Sequence, residues 1–214
     1  YKNYSTTTNL FAGKLTWLID RNNKIEFVGF GDPTSGNVFP DYVPITATFL
    51  EDFNASPPLY SGNLHAIVQG NHTINNGTFL ESYVSFSQFE YKYNDINSPT
   101  IDNPLFYDHT NETISGDGIF AHFQSEEIDV GLKASFQFSN HLLKAGLEFL
   151  NTSSSDNFDQ VLIDKYDDSS YVKLSLVEVG NVIHRVPTLF IQDSWLVNPF
   201  FRINFGFRWN YVFM

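Results

Sequence analysis

The chain has 214 residues, room for one large domain or two small ones, and a formal charge of −12. That acidity argues against nucleic acid, whose phosphates need a basic surface. The absence of cysteine removes disulfides, thiolate metal sites and Cys nucleophiles. No apolar run reaches the length of a membrane helix, but a membrane β-strand needs only about 9–11 residues of alternating polarity.

In chain order the first element is a hairpin. Residues 10–20 (LFAGKLTWLID) and 24–32 (KIEFVGFGD) are joined by Arg21-Asn22-Asn23. A second joins residues 63–73 (NLHAIVQGNHT) to 78–91 (TFLESYVSFSQFEY) near Ile74-Asn75-Asn76-Gly77, where Asn-Gly is a strong turn signal. The facing of its first strand is ambiguous, and Glu81 interrupts either assignment of its second, where a bulge is expected.

The third hairpin is the clearest. Val130, Leu132, Ala134, Phe136 and Phe138 alternate with Asp129, Gly131, Lys133, Ser135 and Gln137. After the turn, Leu143, Ala145, Leu147 and Phe149 alternate with Lys144, Gly146 and Glu148. Two-residue periodicity on both sides of a tight turn specifies a β-hairpin. The fourth joins residues 188–197 (TLFIQDSWLV), again ambiguous in facing, to a strand after Asn198-Pro199. There Phe201, Ile203, Phe205, Phe207, Trp209, Tyr211 and Phe213 take the odd positions, and Arg202, Asn204, Arg208 and Asn210 take even ones.

Between hairpins lie segments 33–62, 94–127 and 151–186, rich in Asp, Asn, Ser, Gly and Pro and read as long outer loops. Antiparallel strands reverse direction at each step, so all short turns fall at one end and all long loops at the other. Tight turns at one end and extended loops at the other are the pattern of an outer-membrane β-barrel. Aromatics near the short turns (Trp17, Phe138, Trp195, Phe201) and at the opposite strand ends (Tyr91, Tyr93, Trp209, Tyr211) fit two membrane-interface belts. The competing reading is that aromatics favour strands and pack in a soluble core. Expected toward the lumen are Lys14, Thr16, Lys133, Gln137, Lys144, Glu148, Arg202, Asn204 and Arg208.

Four short turns and three long loops place both chain ends on the long-loop side, the reverse of a complete small barrel. The expectation is therefore eight consecutive strands, spanning 1–214, from a larger outer-membrane barrel whose other strands lie outside the segment. Tyr1 at the start and the single Met at position 214 fit an excised segment.

Several residues carry a resemblance. LFAGKLTWLIDRNNKIEFVGFGDPTSG is similar to a barrel hairpin of TonB-dependent outer-membrane receptors. Lys144, Gly146 and Glu148, then Phe190, Gln192, Asp193 and Trp195, then Gly206, Arg208 and Trp209 resemble a recurrent block of that family, especially receptors with a carboxypeptidase-regulatory-like N-terminal domain. The resemblance implies a bacterial outer-membrane location and a barrel of about 22 strands filled by a plug. It further implies energy coupling through the plug to the TonB complex, and uptake of a siderophore, cobalamin or glycan rather than catalysis. The expected partners are membrane lipid, the plug, the TonB complex and the ligand, with no cofactor. Rival readings are an outer-membrane adhesin with acidic partner-binding loops, and a soluble all-β carbohydrate-binding sandwich.

No catalytic or metal motif emerges. GFGDPTSG, residues 29–36, has no following helix to hold a phosphate and reads as a strand end. The His residues at 65, 72, 109, 122, 141 and 184 have no zinc spacing. Glu126-Glu127 and Asp167-Asp168 lie in acidic segments that either stay solvated or recruit Ca²⁺.

Overall fold

The computed structural model describes residues 5–37, 58–93, 105–111, 113–115, 119–165 and 171–214. The expected outer-loop residues 38–57, 94–104, 112, 116–118 and 166–170, with Asp167-Asp168 among them, lie outside the described residues.

The described chain is all strand, in one sheet. Its elements are β1 (Ser5–Thr8), β2 (Phe11–Leu18), β3 (Asn23–Gly31), β4 (Thr34–Asn37), β5 (Pro58–Asn75), β6 (Thr78–Tyr93), β7 (Leu105–Asp108), β8 (Thr113–Ser115), β9 (Ile119–Phe138), β10 (His141–Lys165), β11 (Tyr171–Asn198) and β12 (Phe201–Asn210). The main wall runs β2-β3-β5-β6-β9-β10-β11-β12, each strand antiparallel to the next. β1 and β4 continue β2 and β3 beyond short breaks at Asn9-Leu10 and Asp32-Pro33, with the pairing carried across. Eight long strands in four hairpins therefore form the wall, and the sheet is open. One small hairpin, β7–β8, lies against the far end of β10 through a parallel pairing.

The turns follow from local chemistry. Asn75 Oδ1 accepts from the Gly77 N–H at 2.8 Å, and Asn198 Oδ1 accepts from the Phe200 N–H at 2.9 Å. Such side-chain mimicry of a turn is why Asn recurs there. Ser139 adopts φ 51°, the left-handed conformation a two-residue hairpin turn demands.

Directly paired residues point the same way, so the register sorts side chains onto two faces. One face carries the row Leu15, Phe27, Val68, Val84, Val130, Phe149 and Pro187; the other carries Thr16, Glu26, Gln69, Tyr83, Gly131, Glu148 and Thr188. Among the described residues no second layer covers the apolar face: Leu147 is 58% exposed and Phe207 is 62% exposed. Among the described residues, Tyr93 and Phe120 alone form the buried hydrophobic set. A soluble sandwich would bury that face, whereas a membrane barrel presents such a face outward.

Three expectations are corrected. β6 has no bulge at Glu81: its pairing is regular from Phe79 to Tyr93, and the irregularity sits at Thr73/Asn75 beside the turn. Phe79 and Phe89 share the polar face with Glu81, which is what obscured the alternation. The segment 151–186 is not a loop over its described part, because β10 and β11 stay paired from Leu150↔Val186 to Lys165↔Tyr171. Likewise 34–37, 58–62 and 119–127 are strand. A strand with water on both sides needs no apolar face, so polar stretches such as Ser153-Ser154-Ser155 can extend a ribbon without alternation. The ambiguous strands also resolve: Leu64, Ala66 and Val68 take the apolar face of β5, and Leu189, Ile191 and Trp195 that of β11.

Candidate functional site on the polar face

The polar face holds a connected ionic cluster at mid-wall. Glu148 on β10 receives Lys133 of β9 at 3.3 Å and Arg208 of β12 at 3.0 Å. Lys133 also lies 3.9 Å from Glu81 of β6 and 4.8 Å from the centre of the Tyr83 ring. The Tyr83 hydroxyl donates to Asp129 Oδ2 at 3.0 Å and to Glu148 Oε1 at 3.4 Å. Three carboxylates, two cations and a phenol thus knit β6, β9, β10 and β12 across the wall. The Glu148 side chain is only 15% exposed, so charge compensation matters more there than on an open surface.

Glycine makes the packing of this cluster possible. Tyr83 is the direct cross-strand partner of Gly131, and its ring occupies the space a Cβ there would need. Phe190 covers Gly146 in the same way, with a ring carbon 2.5 Å from where a Cβ would sit. These are aromatic side chains filling the gap a strand glycine leaves.

A second ionic group lies on β2 and β3. Glu26 takes Lys14 at 2.6 Å and Lys24 at 2.9 Å, and Thr16 donates to it at 3.3 Å. Toward the loop-side rim the polar face becomes aromatic. Phe30 packs on His65 with centroids 4.7 Å apart, His65 Nδ1 is 2.6 Å from Ser87 Oγ, and Phe89 meets Phe123 at 5.8 Å. Phe30, His65, Ser87 and Phe89, with Asn63 and Glu127, border a concavity of about 840 Å³, within the size range of small-molecule sites.

The register places every residue expected toward the lumen on this face: Lys14, Thr16, Lys133, Gln137, Lys144, Glu148, Arg202, Asn204 and Arg208. It unites Lys133, Glu148 and Arg208, and Lys14 with Thr16. Of the resemblance positions, Gly146, Phe190, Gln192, Gly206 and Arg208 are here, while Asp193, Trp195 and Trp209 are on the apolar face. The expected belt residues Trp17, Phe138, Trp195, Phe201, Trp209 and Tyr211 are exposed on that apolar face, where Trp209 stacks on Tyr211. Tyr91 departs from expectation: regular pairing puts it on the polar face with Tyr83, half-buried. Sequence spacing alone does not join Glu81, Tyr83 and Asp129 to Lys133 as one group. The available signal was Gly131, a glycine at an inward strand position with room for an aromatic partner.

No family model matches the chain, and no curated protein does. Among solved structures, the outer membrane transporter YddB from Escherichia coli matches with a TM-score of 0.65 at 11% identity, over 98% of this chain and 28% of YddB. The fold is that of an outer-membrane barrel wall. This chain thus spans under a third of that transporter's length. The outer membrane protease OmpT from Escherichia coli aligns over 95% of this chain and 70% of its own at 12% identity, but with a TM-score of 0.34 no argument rests on it.

Proposed function

We propose that this chain is a wall segment of a TonB-dependent outer-membrane receptor that imports a scarce nutrient of the siderophore, cobalamin or glycan class. The observation that carries the reading is the division of the polar face into a self-compensated ionic belt at mid-wall and an aromatic, His-bearing concavity at the rim. A lumen filled by a plug requires a polar wall whose charges are largely matched in place. A rim where ligand is first captured calls for flat rings with a few polar groups, as Phe30, His65, Ser87 and Glu127 provide. The plug, and through it the TonB complex, are the partners this reading requires. No step of it asks the wall for catalysis.

A second reading has one observation in its favour. The β10–β11 ribbon continues past the apolar band with Val179, Val182 and Ile183 exposed, as a partner-binding arm of an adhesin would. One experiment separates the two. Cells carrying the full-length protein are given labelled ferric siderophore, cobalamin or oligosaccharide, with and without a protonophore. Receptor function is expected to give protonophore-sensitive uptake of one probe, with binding weakened by His65→Ala. Uptake that ignores the protonophore, or surface binding without uptake of any probe, would defeat the receptor reading.

A further inference from the structure

On the apolar face the band bounded by Trp17, Phe138, Trp195 and Phe213 carries one carboxylate among its described outward residues, and it is Asp193. Its direct partners are Leu143 on β10 and Phe205 on β12, both apolar. Asp193 is nonetheless 8% exposed. One oxygen, Oδ2, lies 2.6 Å from His141 Nδ1, and the other is buried with no hydrogen-bond partner. A carboxylate left in an apolar layer with half its acceptor capacity unused is costly unless a positive group compensates it.

His141 is the side chain that faces it. It follows the Ser139-Asn140 turn directly, so it sits at the short-turn boundary of the membrane. Its ring is stacked between Phe138, at 5.3 Å and 14°, and Trp195, at 5.6 Å and 8°. Two π faces and a carboxylate therefore surround the ring. The Asp193 contact at Nδ1 sets the ring orientation, and in the imidazolium form Nε2 is the second N–H, directed away from that contact. The His141 side chain is 32% exposed, so that donor is within reach of a ligand.

We propose that His141, oriented by Asp193, binds the phosphate of a phospholipid headgroup at the short-turn interface of the membrane. The site is separate from the uptake reading and needs only that the apolar face meets lipid. Lipid, rather than free phosphate, is the source because the surface continues upward from His141 through Leu143 to the small pair Ala145 and Ala134, then to a concavity bordered by Val84, Val130, Leu132 and Leu147. An acyl chain anchored at His141 can lie along that path.

The test is native mass spectrometry of the full-length protein in detergent, titrated separately with phosphatidylglycerol, diacylglycerol and inorganic phosphate. One phosphatidylglycerol is expected to bind well ahead of diacylglycerol, and inorganic phosphate is expected not to displace it. His141→Phe keeps a ring between Phe138 and Trp195 but has no N–H; its phosphatidylglycerol affinity is expected to fall about tenfold, the loss of one charge-assisted hydrogen bond. His141→Gln restores an N–H and should recover part of that affinity. Undiminished binding by His141→Phe, equal binding of diacylglycerol, or displacement by inorganic phosphate would each overturn the proposal. Should His141→Phe not assemble, the three ligand arms on the unaltered protein decide it alone.

Discussion

The Tyr83 ring lies across Gly131, its direct cross-strand partner, and this places the phenol hydroxyl 3.0 Å from Asp129 and 3.4 Å from Glu148. The glycine is therefore part of the ionic cluster although it bears no polar atom. Gly131→Ala would put a Cβ inside the space of the ring, forcing Tyr83 off both carboxylates. Overpacking of this kind costs about 1–3 kcal/mol. The expected outcome is an earlier midpoint in heat-modifiability gels, in which folded barrels migrate apart from unfolded chains. Gly13→Ala is the control, since nothing lies within 4 Å of a Cβ there. Equal midpoints for the two variants would refute the packing role of Tyr83.

The proposed contact of the apolar face with lipid yields a depth-dependent prediction. Phe136, Leu147 and Phe207 are on the apolar face and exposed, and Arg near the bilayer midplane costs about 2–4 kcal/mol. Leu147→Arg and Phe207→Arg should lower the yield of assembled protein in outer-membrane fractions, and Phe136→Arg, nearer the turns, should do so less. Val179 is 67% exposed but stands on the ribbon beyond the band, so Val179→Arg should assemble normally. If Val179→Arg fails as badly as Leu147→Arg, exposure to lipid is not what distinguishes the two positions.

Within the cluster the two cations on Glu148 should not weigh equally. Lys133 is 3.3 Å away and also lies against the Tyr83 ring and near Glu81, whereas Arg208 is a more exposed partner at 3.0 Å. Exposed ion pairs contribute about 0–1 kcal/mol, and residues sharing one network couple by about 0.5–3 kcal/mol. Double-mutant cycles in denaturant should therefore give a larger coupling for Lys133→Met with Glu148→Gln than for Arg208→Met with Glu148→Gln. The reverse order would show that distance alone, and not membership of the network, sets the strength.

Much of this was legible in the alternation. Phe136, Leu147 and Phe207 on one face, and Lys133, Glu148 and Arg208 on the other, follow from period two within a hairpin, where the turn ties both strands to one register. The Tyr83–Gly131 pairing was not legible, because β6 and β9 are separated by a long segment and no turn dictates their register. Tyr91 shows a different limit: an aromatic at a strand end says how high it sits, not which side it faces. The ribbon over 151–186 is not legible as strand, because alternation marks a strand with an apolar phase on one side and water on the other, and it fades where water is on both. Asp193 was visible as a residue of a recurrent pattern, but its outward facing emerged only from its register with Leu143 and Phe205.

The first short turn carries a pH dependence. Asp20 accepts from the Asn22 N–H at 2.7 Å and from Asn23 Nδ2 at 2.6 Å. These bonds, the Asn22 backbone bond foremost, hold its carboxyl below the ordinary carboxylate range. A depressed folded-state pKa means stability that is present above the unfolded value and is lost as pH falls through the folded one. The turn also meets β5, where the Thr73 N–H donates to Asn22 O at 2.8 Å and His72 Nδ1 contacts Asn23 Oδ1. Loosening it should therefore expose the start of the β3–β5 ladder. The expected result is faster amide exchange at Asn22 and Thr73 below pH 4 than at pH 6 in the unaltered protein, beyond the intrinsic pH effect on exchange. Asp20→Asn keeps an acceptor without a titrating charge, so that extra acceleration should vanish in it. An acceleration of the same size in Asp20→Asn would assign the effect to another group.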